Sequence, residues 1–80
     1  MEFEAIEIRT PTIRIDALLK FAGLAGTGGE AKQLIQTGRV RVNGEIETHR
    51  SHALAPGDRL ELLDEDGAVI RGLRVERQSA

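Results

Sequence analysis

Thr27-Gly28-Gly29-Glu30-Ala31-Lys32-Gln33-Leu34-Ile35-Gln36 runs directly into Thr37-Gly38-Arg39-Val40-Arg41-Val42-Asn43-Gly44. Reading this stretch decides the fold. Thr27 and Glu30 have the spacing of a capping box, in which the hydroxyl caps one free helix donor and the Glu side chain reaches back to the N–H of the cap. Ala31, Leu34, Ile35 and Gly38 then repeat at helical spacing, and Gly38 ends the helix. Val40 and Val42 alternate with Arg39 and Arg41, and Asn43-Gly44 is a strong hairpin signal, so strand 39–42 is expected to fold back onto 45–48 with its apolar side toward the helices. A capped helix leading into a short strand and a tight turn presents a rigid edge to a polyanion.

Working outward, Ile15, Leu18, Leu19 and Ala22 predict a preceding helix, with Asp16 and Lys20 as an i, i+4 ion pair and Gly23 as its stop. Leu24-Ala25-Gly26 is short enough that the two helices must turn sharply against each other. Phe3 to Ile8 reads as an N-terminal strand ended at Thr10-Pro11. Pro56-Gly57-Asp58 turns the chain into strand 59–63, and Asp66-Gly67 turns it into a last strand over 68–76. Gln78-Ser79-Ala80 is expected to fray. The predicted order is one strand, two helices and four short strands. The fold class is therefore α+β, a two-helix αα turn packed on a small, mostly antiparallel sheet.

The chain has 80 residues, enough for one domain and too few for a deep core or an enclosed cofactor chamber. Leu, Ile and Val must supply nearly all of the apolar burial, at about 1.5–3 kcal/mol per side chain. Leu34→Ala is accordingly expected to cost about 2–5 kcal/mol as a core truncation. No cysteine is present, which excludes disulfides, thiolate metal sites and thiol nucleophiles. Glu2, Glu4 and Glu7 stand where a signal peptide needs basic residues, and no run approaches the roughly 18 apolar residues of a membrane span. The expectation is a cytoplasmic, monomeric protein without membrane contact.

The net charge of −2 hides an uneven distribution. From Arg9 to Arg59 there are eight basic residues against the five acids Asp16, Glu30, Glu45, Glu47 and Asp58. The acidic excess lies in Glu2 to Glu7 and in Asp64-Glu65-Asp66, so a basic patch can coexist with an acidic total. At about 3.6 residues per turn, Lys32, Gln36 and Arg39 fall on one side of a helical wheel. The free N–H groups at Gly28, Gly29 and Glu30 add partial positive charge, and the two glycines leave room for a phosphate. Arg41 and Asn43 are expected to continue this ridge onto the hairpin. The same pattern also describes a solvated helix face capped for stability, and the residue types alone do not separate the two readings.

The order Arg14-Ile15-Asp16, Leu18-Leu19, a short glycine-containing loop, Thr27, Ala31, Leu34-Ile35, Gly38, Val40, Val42-Asn43-Gly44 and Pro56-Gly57-Asp58 resembles the alpha-L RNA-binding motif. This is the domain named after the fourth protein of the small ribosomal subunit. The resemblance covers about residues 13–63. The Thr-Gly-Gly-Glu-Ala-Lys version is similar to the small, stand-alone, bacterial YbcJ-like subgroup of ribosome-associated RNA binders. The resemblance implies a single RNA-binding domain over 1–80 whose partner is structured RNA, ribosomal in kind, with Arg14, Thr27, Lys32, Arg39, Arg41 and Asn43 on the RNA face. Lys20, Gly28, Gly29, Gln33, Gln36 and Arg50 complete the candidate set. Two departures stand out: Gly28 and Gln33 occupy positions where many members carry a basic residue.

With no Tyr, no Trp and two Phe, both expected in the core, base stacking is not the expected mode. Backbone and 2′-hydroxyl contacts to helical or junction RNA suit these side chains better. Gly26-x-Gly28-x-x-Ala31 fails as a dinucleotide site because a helix, not a strand, precedes it. His49 and His52 near Glu47 and Asp58 fall short of the four ligands of a structural zinc site. Neither a catalytic constellation nor a cofactor or small-molecule substrate is indicated. The competing reading is a protein-interaction module that uses a sheet edge or the acidic Asp64–Asp66 end.

Overall fold

Alternating and helical apolar spacing resolve into nine elements in the computed structural model, which describes residues 3–78. They are β1 (Glu4–Ile8), β2 (Ile13–Arg14), α1 (Ile15–Phe21), α2 (Gly28–Gln36), β3 (Val40–Val42), β4 (Glu45–Ile46), β5 (Ala53–Leu54), β6 (Arg59–Leu63) and β7 (Val69–Arg77). Five strands form one sheet in the order β1-β7-β6-β3-β4, antiparallel except for the parallel β1–β7 pair. β2 and β5 make a separate antiparallel bridge. The α+β architecture with a mostly antiparallel sheet is the one expected from the sequence.

Both helices stop the same way. Gly23 and Gly38 adopt left-handed φ values of 76° and 79°, which a Cβ would strain. In each case the next two N–H groups double back: Gly23 to Lys20 O and Leu24 to Leu19 O, then Gly38 to Ile35 O and Arg39 to Leu34 O. These are paired Schellman closures that satisfy the terminal carbonyls. The chain therefore reverses at once after each helix, laying α1 on α2 and delivering Val40 straight into the sheet.

One face of the sheet meets the helices. Ile6, Ile8, Val40, Val42, Leu60, Leu62, Leu73 and Val75 pack with Ile15, Leu18, Leu19, Ala31, Ile35 and Leu54 in a single aliphatic cluster. No charged or polar residue is buried among the described residues. All ionic chemistry is thereby confined to the surface.

Several local expectations need correction. Five strands follow the helices, because β5 is a two-residue bridge with no alternation to read. The return strand expected over 45–48 ends at Ile46, since Glu47 folds its carboxylate onto the N–H of His49. Gln78 does not fray: its N–H donates to Ile8 O and its Oε1 accepts from Arg9 Nε. Ser79 and Ala80 lie outside the described residues. Asp16 pairs with Arg14 and not with Lys20. Neither phenylalanine enters the core: Phe21 is exposed and Phe3 lies half-buried under the Arg59 guanidinium, 5.4 Å from the ring centre.

Leu34 is only partly buried, whereas Ile35 is fully enclosed. Ile35→Ala should therefore carry the full core-truncation cost of about 2–5 kcal/mol, and Leu34→Ala distinctly less because part of its side chain is already in water. Urea unfolding of the two variants checks this, and equal losses would put Leu34 back in the core.

Candidate nucleic-acid interface

The N-terminus of α2 is built by two side chains. Thr27 has extended backbone (φ −139°, ψ 165°), and its Oγ1 accepts the Glu30 N–H at 3.1 Å. Glu30 Oε2 accepts the N–H of Gly26 at 2.8 Å, one residue before the cap that a capping box would engage. The Glu30 carboxylate thus braces the loop entering the helix. Gly28 and Gly29 keep N–H groups without an acceptor among the described residues, as the first turn of any helix does. A Cβ built at Gly28 would meet no atom within 4 Å, so this end is open to approach.

Lys20, in the last turn of α1, and Lys32 on α2 are both exposed. Neither makes an ion pair among the described residues, and the same holds for Arg39 and Arg50. Lys20 and Lys32 flank the same αα turn. Gln36 is exposed on the last turn of α2.

Arg39 does not continue the helical wheel. The helix ends at Gln36 and the chain reverses at Gly38, so angular spacing no longer places the next side chain. Arg39 is tied to β6 instead: its Nε donates to Leu63 O at 2.9 Å, and its own carbonyl accepts the Leu63 N–H at 2.8 Å. It shares an open groove with Gln33, Leu34 and Thr37, and with Glu30 and Glu65. Lys32 and Gln36 do not line that groove. The single ridge read from the wheel is two flanks of α2, with Lys32 and Gln36 on one and Gln33 and Arg39 on the other.

Arg41 is further removed. Val40 and Val42 point into the core, so Arg41, between them, projects from the opposite face of the sheet. There its Nε lies 3.2 Å from Glu61 Oε1, its cross-strand neighbour. The pair is ionic in distance but poorly aligned, which leaves that buried Nε–H without a hydrogen-bond partner. Arg41 does not extend the α2 surface onto the hairpin.

Asn43 is a staple. Its φ of 52° and the positive φ of Gly44 form the hairpin turn. Its Oδ1 accepts the Arg59 N–H at 2.9 Å and its Nδ2 donates to Asp58 Oδ1 at 3.1 Å. Asp58 Oδ2 in turn accepts the Ala55 N–H at 2.8 Å. The Asn-Gly turn and the Pro56-Gly57-Asp58 turn are thus one hydrogen-bonded unit. Their joint occurrence in the sequence was the available signal for this role.

At the start of α1, Arg14 grips Asp16 with two nitrogens, at 3.2 and 2.9 Å. The N–H groups of Ile15 and Asp16 donate to the carbonyls of His52 and Arg50, which brings Arg50 beside Arg14. That loop is latched by Glu47, which takes His49 Nδ1 at 3.0 Å and His52 Nδ1 at 3.1 Å. Asp58 is engaged elsewhere, and no cluster able to hold a metal occurs among the described residues. Glu47 is held below the usual carboxylate value, first by the His49 N–H and then by the His49 side chain, against an opposing effect of burial and with lesser help from the proximity of His52.

A helix pair with exposed lysines at its turn, laid on a small sheet, defines a compact α+β module with a basic edge. A family model described as S4 domain matches residues 6–70. The small ribosomal subunit protein uS4 of Anaeromyxobacter sp. (strain K) is 36% identical over 64 residues, covering 80% of this chain and 31% of the relative. That of Dictyoglomus thermophilum is 40% identical over 53 residues, covering 66% of this chain and 26% of the relative. The uS4A protein of Myxococcus xanthus is 34% identical over 59 residues, covering 74% and 28%. The chain spans about a third or less of the length of these relatives. It belongs to the S4-domain family and is an RNA-binding module.

Two outcomes follow for the turn and the latch. Asn43→Ala loses both side-chain bonds and places a Cβ residue without side-chain compensation at positive φ, so it should cost about 1–3 kcal/mol in urea unfolding. Asn43→Gly relieves only the φ cost and should recover only part of that loss. Because the folded Glu47 value lies below the ordinary 4.5, its stabilising contribution is present above that pH and is lost as pH falls through the lower folded value. Thermal melts from neutral to acid pH should therefore show a smaller acid loss in Glu47→Gln than in the parent.

Proposed function

We propose that the chain binds structured RNA of the ribosome, in the cytoplasm, through phosphate and shape contacts at the αα turn and along α2. The relatives it resembles are named as proteins of the small ribosomal subunit. The observation that carries the reading is that Lys20 and Lys32, one on each helix of the αα turn, are exposed and without ion pairs among the described residues, and that the Gly28 end of α2 is open. Lysine is a point-charge phosphate binder and a helix N-terminus adds oriented donors. Gln36 on the same side of α2, and Gln33 with Arg39 on its other flank, supply further hydrogen bonds to phosphate or 2′-hydroxyl. Arg50, near the start of α1, makes no ion pair among the described residues.

Thr27, Arg14, Arg41 and Asn43 act differently in this reading. Thr27 and Asn43 set backbone geometry. Arg14 and Arg41 already face carboxylates, so an incoming phosphate would have to compete with Asp16 or Glu61. Phe21 is a lone exposed aromatic, which does not amount to the successive stacking platforms of single-strand binders. The whole of 1–80 serves as one S4-type unit in this proposal.

With four to six phosphates neutralised, log affinity for a ribosomal RNA fragment should fall against log salt with a slope of about −3 to −5. Filter binding between about 50 and 200 mM salt measures it. Lys32→Ala should weaken binding and flatten the slope by about 0.7–0.9, one phosphate's worth. Arg41→Ala should leave both unchanged. Parent-like binding by a Lys20→Ala/Lys32→Ala double variant would remove the αα turn as the RNA face.

A further inference from the structure

The edge of the sheet opposite the hairpin is open. β1 is an outer strand, paired among the described residues only with β7. Ile8 O accepts the Gln78 N–H on the β7 side, so the alternation of a strand turns the N–H and C=O groups of Ala5 and Glu7 outward. They have no backbone partner among the described residues. An unpaired edge is a template for a further strand.

Beside this edge runs an open groove of about 850 Å³, walled by Ile6, Ile8, Ile13 and Phe21. Phe21 is 67% exposed, the most exposed large hydrophobic among the described residues. The groove lies on the helical side of β1, where every second side chain of an added strand would point. On the other side, Glu7 stands directly across from Glu76 of β7. Like charges at opposed positions destabilise a sheet. Arg74 pairs with Glu76, while Glu7 has no ion pair among the described residues. Of the other charges nearby, Glu4 pairs with Arg71 and Arg9 hydrogen-bonds the neutral Gln78, while Arg77, across from Ile8, makes no ion pair among the described residues.

We propose that β1 receives an extended strand of a partner protein whose side chains alternate apolar and basic. Apolar residues would fill the groove against Phe21 and Ile13, and a Lys or Arg between them would meet Glu7. A second copy of this chain fits poorly, since its β1 carries glutamates and no cation. This inference does not rest on the RNA reading, because it uses the opposite edge of the sheet from the hairpin.

The test is amide NMR of the ¹⁵N-labelled chain titrated with a capped peptide of alternating Val and Lys, about seven residues long, a common strand length. The same peptide with Glu for Lys is the comparison. Saturable shifts at Ala5 and Glu7 are expected with the Val/Lys peptide only. Ala5→Pro removes an outward N–H while sparing the ladder to β7, and should abolish the response. Glu7→Lys, a surface change that keeps the fold, should weaken Val/Lys binding about fivefold and favour Val/Glu instead. Absence of saturable shifts, or equal responses to both peptides, overturns the proposal. So does self-association of the chain in sedimentation that Ala5→Pro abolishes, which would give the edge to a second copy.

Discussion

The hydrogen bonds from Asn43 to Asp58 and to the Arg59 N–H hold two turns, distant in sequence, as one object. Everything beyond the helices depends on that closure. β3 and β6 are antiparallel neighbours, with Val40 against Leu62 and Val42 against Leu60, and the staple closes that ladder at the end where β6 begins. A slip of one residue would turn Val40 and Val42 out of the core and Arg41 into it. Since the core contains no polar partner for a guanidinium, such a register is strongly disfavoured. At the other end of the same ladder, Arg39 and Leu63 exchange two hydrogen bonds. The pairing is therefore pinned at both ends, by an amide at one and a guanidinium at the other.

This pinning decides where positive charge can act. A strand between helix and solvent sorts its side chains by parity, so Arg39 and Arg41 share a side of the alternation but not an environment. Arg39 sits at the strand's entrance, where the Schellman closure has just redirected the chain, and is drawn toward α2. Arg41, inside the ladder, is committed to the far face and to Glu61. The helical turn keeps the uncommitted lysines. Beside β1, by contrast, the arginines Arg71 and Arg74 of β7 are committed to Glu4 and Glu76.

What the sequence made legible was whatever rests on local, repeated chemistry. Both helices, their glycine stops, the Asn43-Gly44 hairpin and the Pro56-Gly57-Asp58 turn follow from propensity, spacing and positive φ. The two-residue bridges β2 and β5 have no period, and their pairing arises from the carbonyls of Arg50 and His52 meeting the start of α1. The site was legible in composition but not in arrangement. A helical wheel assumes that the helix continues, and Arg39 lies beyond its end. Asn43 and Arg41 have the residue types of RNA contacts, yet one is taken by Asp58 and the other faces Glu61. Only the folded pairing of strands distant in sequence brings those carboxylates near.

The two departures from the family pattern bear on how such a surface would work. Gly28 and Gln33 lack those side-chain cations, which leaves at Gly28 a backbone donor with no side chain over it and at Gln33 a neutral amide. A cation contributes to affinity by releasing condensed counterions and acts at a distance, whereas an N–H group acts only when an acceptor is correctly placed. Exchanging one for the other lowers nonspecific attraction to any polyanion more than it lowers binding to an RNA of the right shape. With a net charge of −2, long-range steering is weak, so discrimination on the proposed face depends on fit at the rigid αα turn. The Schellman closure at Gly23 on one side of the loop and the Glu30 carboxylate, braced on Gly26, on the other supply that rigidity.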